Sequence, residues 1–248
     1  MRVTFLSTQK IRGAFCGAAL GLAACQSPAL PTSPPEKIFR KGRQLTYTVA
    51  HDVHQTGGLD SLMLTSFGDF KPGEYDPVTT QIKIGFSYDG HSVPGNFAGV
   101  IENDTMLWAH PPREGSYAIL QLSPYPYIKL PVTEGQRWTW NLTVGSQWGH
   151  PNWGTWPGDI VVQSYYHVVG QQTVHTPMGQ LRCWLVRAQA HSAAGSSNVD
   201  FLYHPTYGFV ELNYHTIDGH HTNLSLAKVS MQYKMDYLGA SSYQVLVP

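Results

Sequence analysis

Residues 137–144 read Arg137-Trp138-Thr139-Trp140-Asn141-Leu142-Thr143-Val144, with large apolar side chains at every second position and polar ones between. Side chains alternate across a β-strand, so this pattern gives a half-buried strand with Trp138, Trp140, Leu142 and Val144 turned to a core. Working outward, the same period returns at Gln81–Tyr88, where Ile82, Ile84, Phe86 and Tyr88 alternate with Gln81, Lys83, Gly85 and Ser87. It returns again near the end, where Met231, Tyr233, Met235 and Tyr237 alternate with Gln232, Lys234 and Asp236. Further strands are expected at 45–50, 60–67, 97–101, 117–122, 160–169, 181–190, 198–203, 209–214 and 222–226. The change of parity between Leu226 and Val229 predicts a bulge or bend.

Asp89-Gly90 and Asp218-Gly219 stand between apolar alternations and tolerate the positive φ of a two-residue hairpin turn. Around Asp218-Gly219 such a turn pairs Thr216 with His221 and His215 with Thr222, and puts His215 and His220 on one face with His221 turned away. No helical period and no internal repeat stands out, and Gly and Pro, 24 and 17 in number, punctuate the chain. The fold class is therefore all-β, a single antiparallel barrel-like or sandwich domain.

Upstream of these strands the chain is of a different kind. Arg2, Lys10 and Arg12 form a positive n-region, and residues 14–24 are small and apolar, too short a run to span a bilayer. This reads as a cleaved signal peptide over residues 1–24. From Gln26 to Glu36 the chain holds four prolines in eleven residues, a semi-extended spacer. The organisation expected is signal peptide 1–24, Cys25 with the Pro-rich linker to residue 36, and an all-β domain over 37–248. Lys37, Arg40, Lys41 and Arg43 follow the spacer at once, either beside an anionic leaflet or as a solvated collar.

The signal ends in Leu22-Ala23-Ala24-Cys25, which resembles the bacterial lipobox. The resemblance implies that Cys25 becomes the acylated N-terminus, palmitate among its chains; ordinary secretory cleavage near Ala23 is the alternative. It implies a bacterial cell-envelope protein with the membrane as a partner through its lipid anchor. Gln26 and Ser27 in place of an aspartate favour the outer membrane where the host has one.

Loss of residues 1–24 takes three of the 16 Lys and Arg and none of the 16 Asp and Glu, so the mature chain is mildly acidic. That composition excludes a basic nucleic-acid binder. Cys16 leaves with the signal and Cys25 is acylated, so Cys183, in an apolar run, is expected to be a small buried hydrophobe.

Residues 169–183, with Thr176-Pro177-Met178-Gly179, and residues 201–210, with Tyr203-His204-Pro205-Thr206-Tyr207-Gly208-Phe209-Val210, resemble the C-terminal half of β-rich bacterial envelope proteins of unknown function. Pro131 to Trp138 resembles their upstream P-x-x-x-G-x-x-W stretch. The likeness covers about residues 131–229 and implies fold and location only, since those families have no established catalytic residue.

No G-x-S-x-G elbow, H-E-x-x-H, P-loop or dinucleotide fingerprint occurs, so no cofactor is expected. His215, His220 and His221 supply two ligands to one face where a zinc site needs three or four, so no metal site is assigned. A glycosidase with scattered carboxylates, such as Glu102, Asp159 and Glu211, leaves no local signature. The most unusual segment is Gly145–Asp159, with three tryptophans, four glycines and two prolines in fifteen residues. Trp148, Trp153 and Trp156 could stack on a sugar ring or apolar ligand, with His150, Asn152 and Asp159 as hydrogen-bonding partners. The competing reading is that the indoles plug an open end of the β structure. Ser123-Pro124-Tyr125-Pro126-Tyr127 is expected as a rigid edge or turn.

The function expected is a non-catalytic module that binds a glycan or lipid through the tryptophan loop. The alternative is a structural or assembly partner of another envelope protein, with a glycoside hydrolase third.

Overall fold

The alternating segments pair into twelve antiparallel strands of one sheet: β1 (Arg43–His51), β2 (Asp60–Phe70), β3 (Gln81–Tyr88), β4 (His91–Glu102), β5 (Met106–Ala109), β6 (Tyr127–Lys129), β7 (Arg137–Gly145), β8 (Asp159–Thr176), β9 (Gly179–Ser192), β10 (Gly195–His204), β11 (Gly208–His215) and β12 (His221–Met231). The structure, a computed structural model, describes residues 36–52, 60–70 and 80–232. The signal segment, Cys25, most of the linker, His54 and the alternation at 233–237 lie outside the described residues.

The strand order is β6-β5-β4-β3-β2-β1-β12-β11-β10-β9-β8-β7, so every neighbour but one is also a neighbour in sequence. The exception is the seam between β1 and β12. The two edges, β6 and β7, are joined by the short segment 130–136, and the sheet curls until their side chains meet. Tyr127 lies 5.6 Å from Trp138 and Trp108 lies 5.7 Å from Trp140, ring centre to ring centre. The result is an up-and-down half-barrel whose open seam is filled by aromatic rings rather than backbone hydrogen bonds.

Bulges help the curl. The parity change expected near Leu226 is one of them: Tyr47 faces Leu226 and Thr46 faces Lys228, leaving Ala227 as the extra residue. Asp89 and Gly90 both take positive φ, 48° and 80°, as the tight turn between β3 and β4 requires. Pro177-Met178 forms a two-residue turn between Thr176 and Gly179.

One expected strand is corrected. Residues 117–122 are not a strand: Gly115–Leu122 is a 3-10 helix. No strand pairs with it, and prolines at 111, 112, 124 and 126 flank it, so the segment crosses the interior of the barrel instead of joining its wall. Ser123 to Tyr127, expected as a rigid edge or turn, leads into the edge strand β6 at Tyr127, and all five residues are buried. The wall satisfies the crossing backbone: Ser197 Oγ donates to the Leu122 carbonyl at 2.8 Å and Tyr166 Oη to that of Tyr125 at 3.0 Å. Around this segment the inner face of the strands forms one core, in which Leu45, Ile84, Val168, Val186, Phe201, Tyr214 and Leu224 are all buried. Cys183 belongs to that core, and burial pushes its thiol up to about 11.

Candidate functional site

Strand direction gives the barrel two distinct ends. The register partners Gly145 and Asp159, Ser192 and Gly195, His215 and His221, and His51 and Thr222 all lie at one end. Arg43 with Met231, His204 with Gly208, and Thr176 with Gly179 lie at the other. The first described residues, from 36 on, lead into this second end, so the tryptophan loop is at the end opposite to them.

There Trp148, Trp153 and Trp156 come together. All three are half-buried and pack on Val144, Val162, Ala190 and Leu122, with Ile160, Ala194 and Ile217 beside them. Two indole N–H groups are engaged within the loop: Trp153 Nε1 donates to the Trp148 carbonyl at 3.0 Å and Trp156 Nε1 to that of Val144 at 3.3 Å. Those two indoles therefore have their N–H donors already engaged. His150 stacks on Trp153 with ring centres 4.5 Å apart, and its Nδ1 accepts the Asn152 backbone N–H. Asn152 and Asp159 are exposed.

The turn after β11 carries Ile217, and its geometry corrects the hairpin register. His215 pairs with His221, and Tyr214 rather than His215 faces Thr222. Five residues make the connection, closed by Thr216 N–H to the His220 carbonyl and Gly219 N–H to the Thr216 carbonyl. Thr216 Oγ1 donates to Asp218 Oδ1 at 2.6 Å, which stabilises this wider turn over the two-residue one. As a result His215 and His221 stand side by side, ring centres 3.8 Å apart, and His220 turns to Asp52 at 3.3 Å. A backbone hydrogen bond from His221 and the nearby imidazoles hold the Asp52 carboxyl below its usual range. Among the described residues no group of three His, Cys, Asp or Glu is placed to hold a metal ion.

Beside this turn the outer face of the sheet carries two polar rows that only the cross-strand register reveals. One runs Tyr165, Gln189, Asn198, His215, His221 across five strands. The other runs His167, Arg187, Asp200, Asn213, Asn223. A groove of about 550 Å³ opens on them, lined by Asn198, Asp200, Asn213, His215, His221 and Asn223 together with Asp52. Arg187 Nε reaches Asp200 at 3.3 Å, and the Asn213 and Asn223 amides donate to Glu211 at 2.8 and 3.3 Å. Tyr165 is 43% exposed at the far end of its row. At roughly 4.8 Å per strand the five positions span roughly 19 Å.

The scattered carboxylates do not converge. Glu102, at the linker end, accepts the backbone N–H groups of Ile38 and Phe39 at 2.6 and 2.8 Å. Asp159 is at the opposite end of the barrel, and Glu211 is engaged on the outer face. The polar rows escaped the sequence reading because their members are unremarkable one strand at a time; the signal was the shared outward parity of Asn198, Asp200, Asn213, His215, His221 and Asn223.

No protein-family model matches the chain. No curated protein matches it either. Solved structures similar to it include a protein described as a lipoprotein from Parabacteroides distasonis, with 10% identity and TM-score 0.48 over 77% of this chain and 96% of that one. A protein from Bacteroides fragilis described as exported, with a YmcC-like fold, is 12% identical with TM-score 0.41 over 77% and 96%. A β-barrel-like protein of a domain of unknown function, DUF1849, from Brucella abortus is 11% identical with TM-score 0.39 over 77% and 98%.

Proposed function

We propose that this is a bacterial envelope lipoprotein, held by acyl chains on Cys25 and placed in the outer membrane where the host has one, whose β domain is a non-catalytic glycan-binding module. The n-region, h-region and Leu22-Ala23-Ala24-Cys25 support the anchor. One observation carries the binding reading: one end of the barrel holds three partly buried indoles and, on the outer face beside the His215–His221 pair, a groove of amide, imidazole and carboxylate side chains. Sugars are bound by ring-face stacking on aromatics together with planar hydrogen-bonding groups, and both are present in this region. Trp148, Trp153 and Trp156 supply the stacking faces, with His150, Asn152 and Asp159 at their margin and the groove supplying the remaining polar contacts. The polarity of the groove favours a glycan over a lipid.

Tryptophan fluorescence titration with envelope oligosaccharides tests this reading. A saturable shift that weakens about thirtyfold when Asn213 and Asn223 both become alanine is expected, each lost hydrogen bond to the ligand removing about 1 kcal/mol. No shift with any oligosaccharide, or a shift indifferent to those two changes and to alanine at Trp148, Trp153 and Trp156, contradicts it. The alternative, an assembly partner of another envelope protein, draws on the edge of β7, which among the described residues pairs with β8 alone. In-cell crosslinking from Thr139 or Thr143 then recovers one protein reproducibly.

A further inference from the structure

At the linker end, residues 40–43 form a tight turn closed by the Arg43 N–H on the Arg40 carbonyl at 3.0 Å. Gly42 takes φ +83° there, and a Cβ would stand 2.4 Å from the Gln232 carbonyl oxygen, so this turn is specific to glycine. The turn brings Arg40 and Arg43 onto one cleft of about 540 Å³, whose other walls include Glu36, Thr206 and Ser230.

These two guanidinium groups are not an ordinary solvated pair. Arg43 is only 7% exposed, and one of its nitrogens, Nη2, donates to the Thr206 carbonyl at 2.9 Å. Burial and the neighbouring charge of Arg40 disfavour its cation. Arg40 pairs with Glu36, yet its Nε is buried and has no hydrogen-bond partner among the described residues. Two close cations on one cleft, one of them desolvated, form an arrangement that a multivalent oxyanion stabilises. The side chains have the chemistry for it: guanidinium groups match phosphate oxygens in fork geometry, and Ser230, whose hydroxyl donates to Gln44 Oε1 at 3.4 Å, lines the same cleft.

We infer that the cleft of Arg40 and Arg43 is a binding site for a phosphate ester, with Glu36 as the internal carboxylate that the phosphate displaces from Arg40. The phosphate comes either from an anionic lipid headgroup at the membrane surface or from a soluble phosphate ester. The inference depends neither on the glycan reading nor on acylation of Cys25.

The test uses the full chain carrying Cys25→Ala, so that an acyl anchor contributes nothing. Its co-sedimentation is measured with phosphatidylglycerol vesicles against phosphatidylcholine vesicles, and its binding of glycerol phosphate by calorimetry. The site predicts a loss of about tenfold in affinity for Arg40→Gln, a gain for Glu36→Gln, and little change for Lys41→Gln, which alters net charge equally but does not line the cleft. This pattern on vesicles identifies the lipid headgroup as the source; the same pattern on glycerol phosphate with no vesicle binding identifies a soluble ester. Equal losses for Arg40→Gln and Lys41→Gln, or no binding to either probe, overturn the inference.

Discussion

His110 shows how one enclosed side chain links pH to stability. Its Nδ1 is 2.8 Å from the Pro111 carbonyl, which can only accept, so that nitrogen carries the proton in the neutral ring. Trp108 and Tyr125 pack on the same imidazole, and burial lowers its pKa to about 4. The unfolded chain, with histidine near its usual value of about 6.5, then binds more protons than the folded one between those two values. Stability therefore falls as pH drops from about 6.5 to 4, by at most about 3 kcal/mol from this group. Urea unfolding across that range should show the fall in the native protein and a flatter profile in His110→Gln; parallel profiles would contradict the assignment. Cys183 makes a second prediction at this scale. Buried and with its thiol pKa raised, it should stay unreactive toward a thiol reagent at pH 8 until urea unfolds the barrel.

Among the elements, the open seam between β6 and β7 holds the clearest energetic test. Trp138 on β7 stacks on Tyr166 with ring centres 5.1 Å apart and planes 5° apart, and Tyr127 closes against both. With no backbone ladder across the seam, this aromatic cluster is its main fastening, and Trp138→Ala should cost about 3 to 5 kcal/mol in urea unfolding. A second element-scale device is the clamp of Glu102 on the chain entering the barrel. Glu102→Gln replaces an acceptor oxygen with an amide that faces an N–H, so one charge-assisted bond is lost, at about 1.5 to 3 kcal/mol. Limited proteolysis near residues 36–40 should quicken in that variant, while unchanged cleavage would rule the clamp out.

The elements also show what the sequence could reveal. Strands with one face in the core announce themselves, because burial on one side and solvent on the other impose the period of two; Trp138 to Val144 and Ile82 to Tyr88 are such strands. The turn at Asp89-Gly90 and the bulge at Ala227 were legible for the same reason, since each leaves a local mark in composition or parity. Residues 117–122 were not. A segment surrounded by barrel wall is apolar on most sides and keeps no period, so its β-branched and aromatic residues imitate a strand. The register at 216–220 was misjudged because the Thr216–Asp218 hydrogen bond, invisible in a dipeptide pattern, selects the wider turn.

At the scale of the whole β domain, the order of the described strands makes one half-barrel with two chemically different ends. The linker end gathers Arg40, Arg43 and the Glu102 clamp, whereas the far end gathers the indoles, the His215–His221 pair and the start of the polar rows. On the function proposed above, these two ends divide anchoring from recognition. Here the sequence is only half informative: the tryptophan loop stands out by composition, but the groove is assembled by register across β10, β11, β12 and the end of β1, and no single strand contains enough of it to be noticed.

The most direct measurement is amide chemical-shift mapping of the full chain during titration with an envelope oligosaccharide. The account predicts perturbations concentrated at Asn198, Asp200, Asn213, His215, His221 and Asn223 and in the loop of residues 145–159, saturating together with one affinity. Saturable shifts confined to other regions of the barrel, or spectra unchanged by every oligosaccharide, would contradict it.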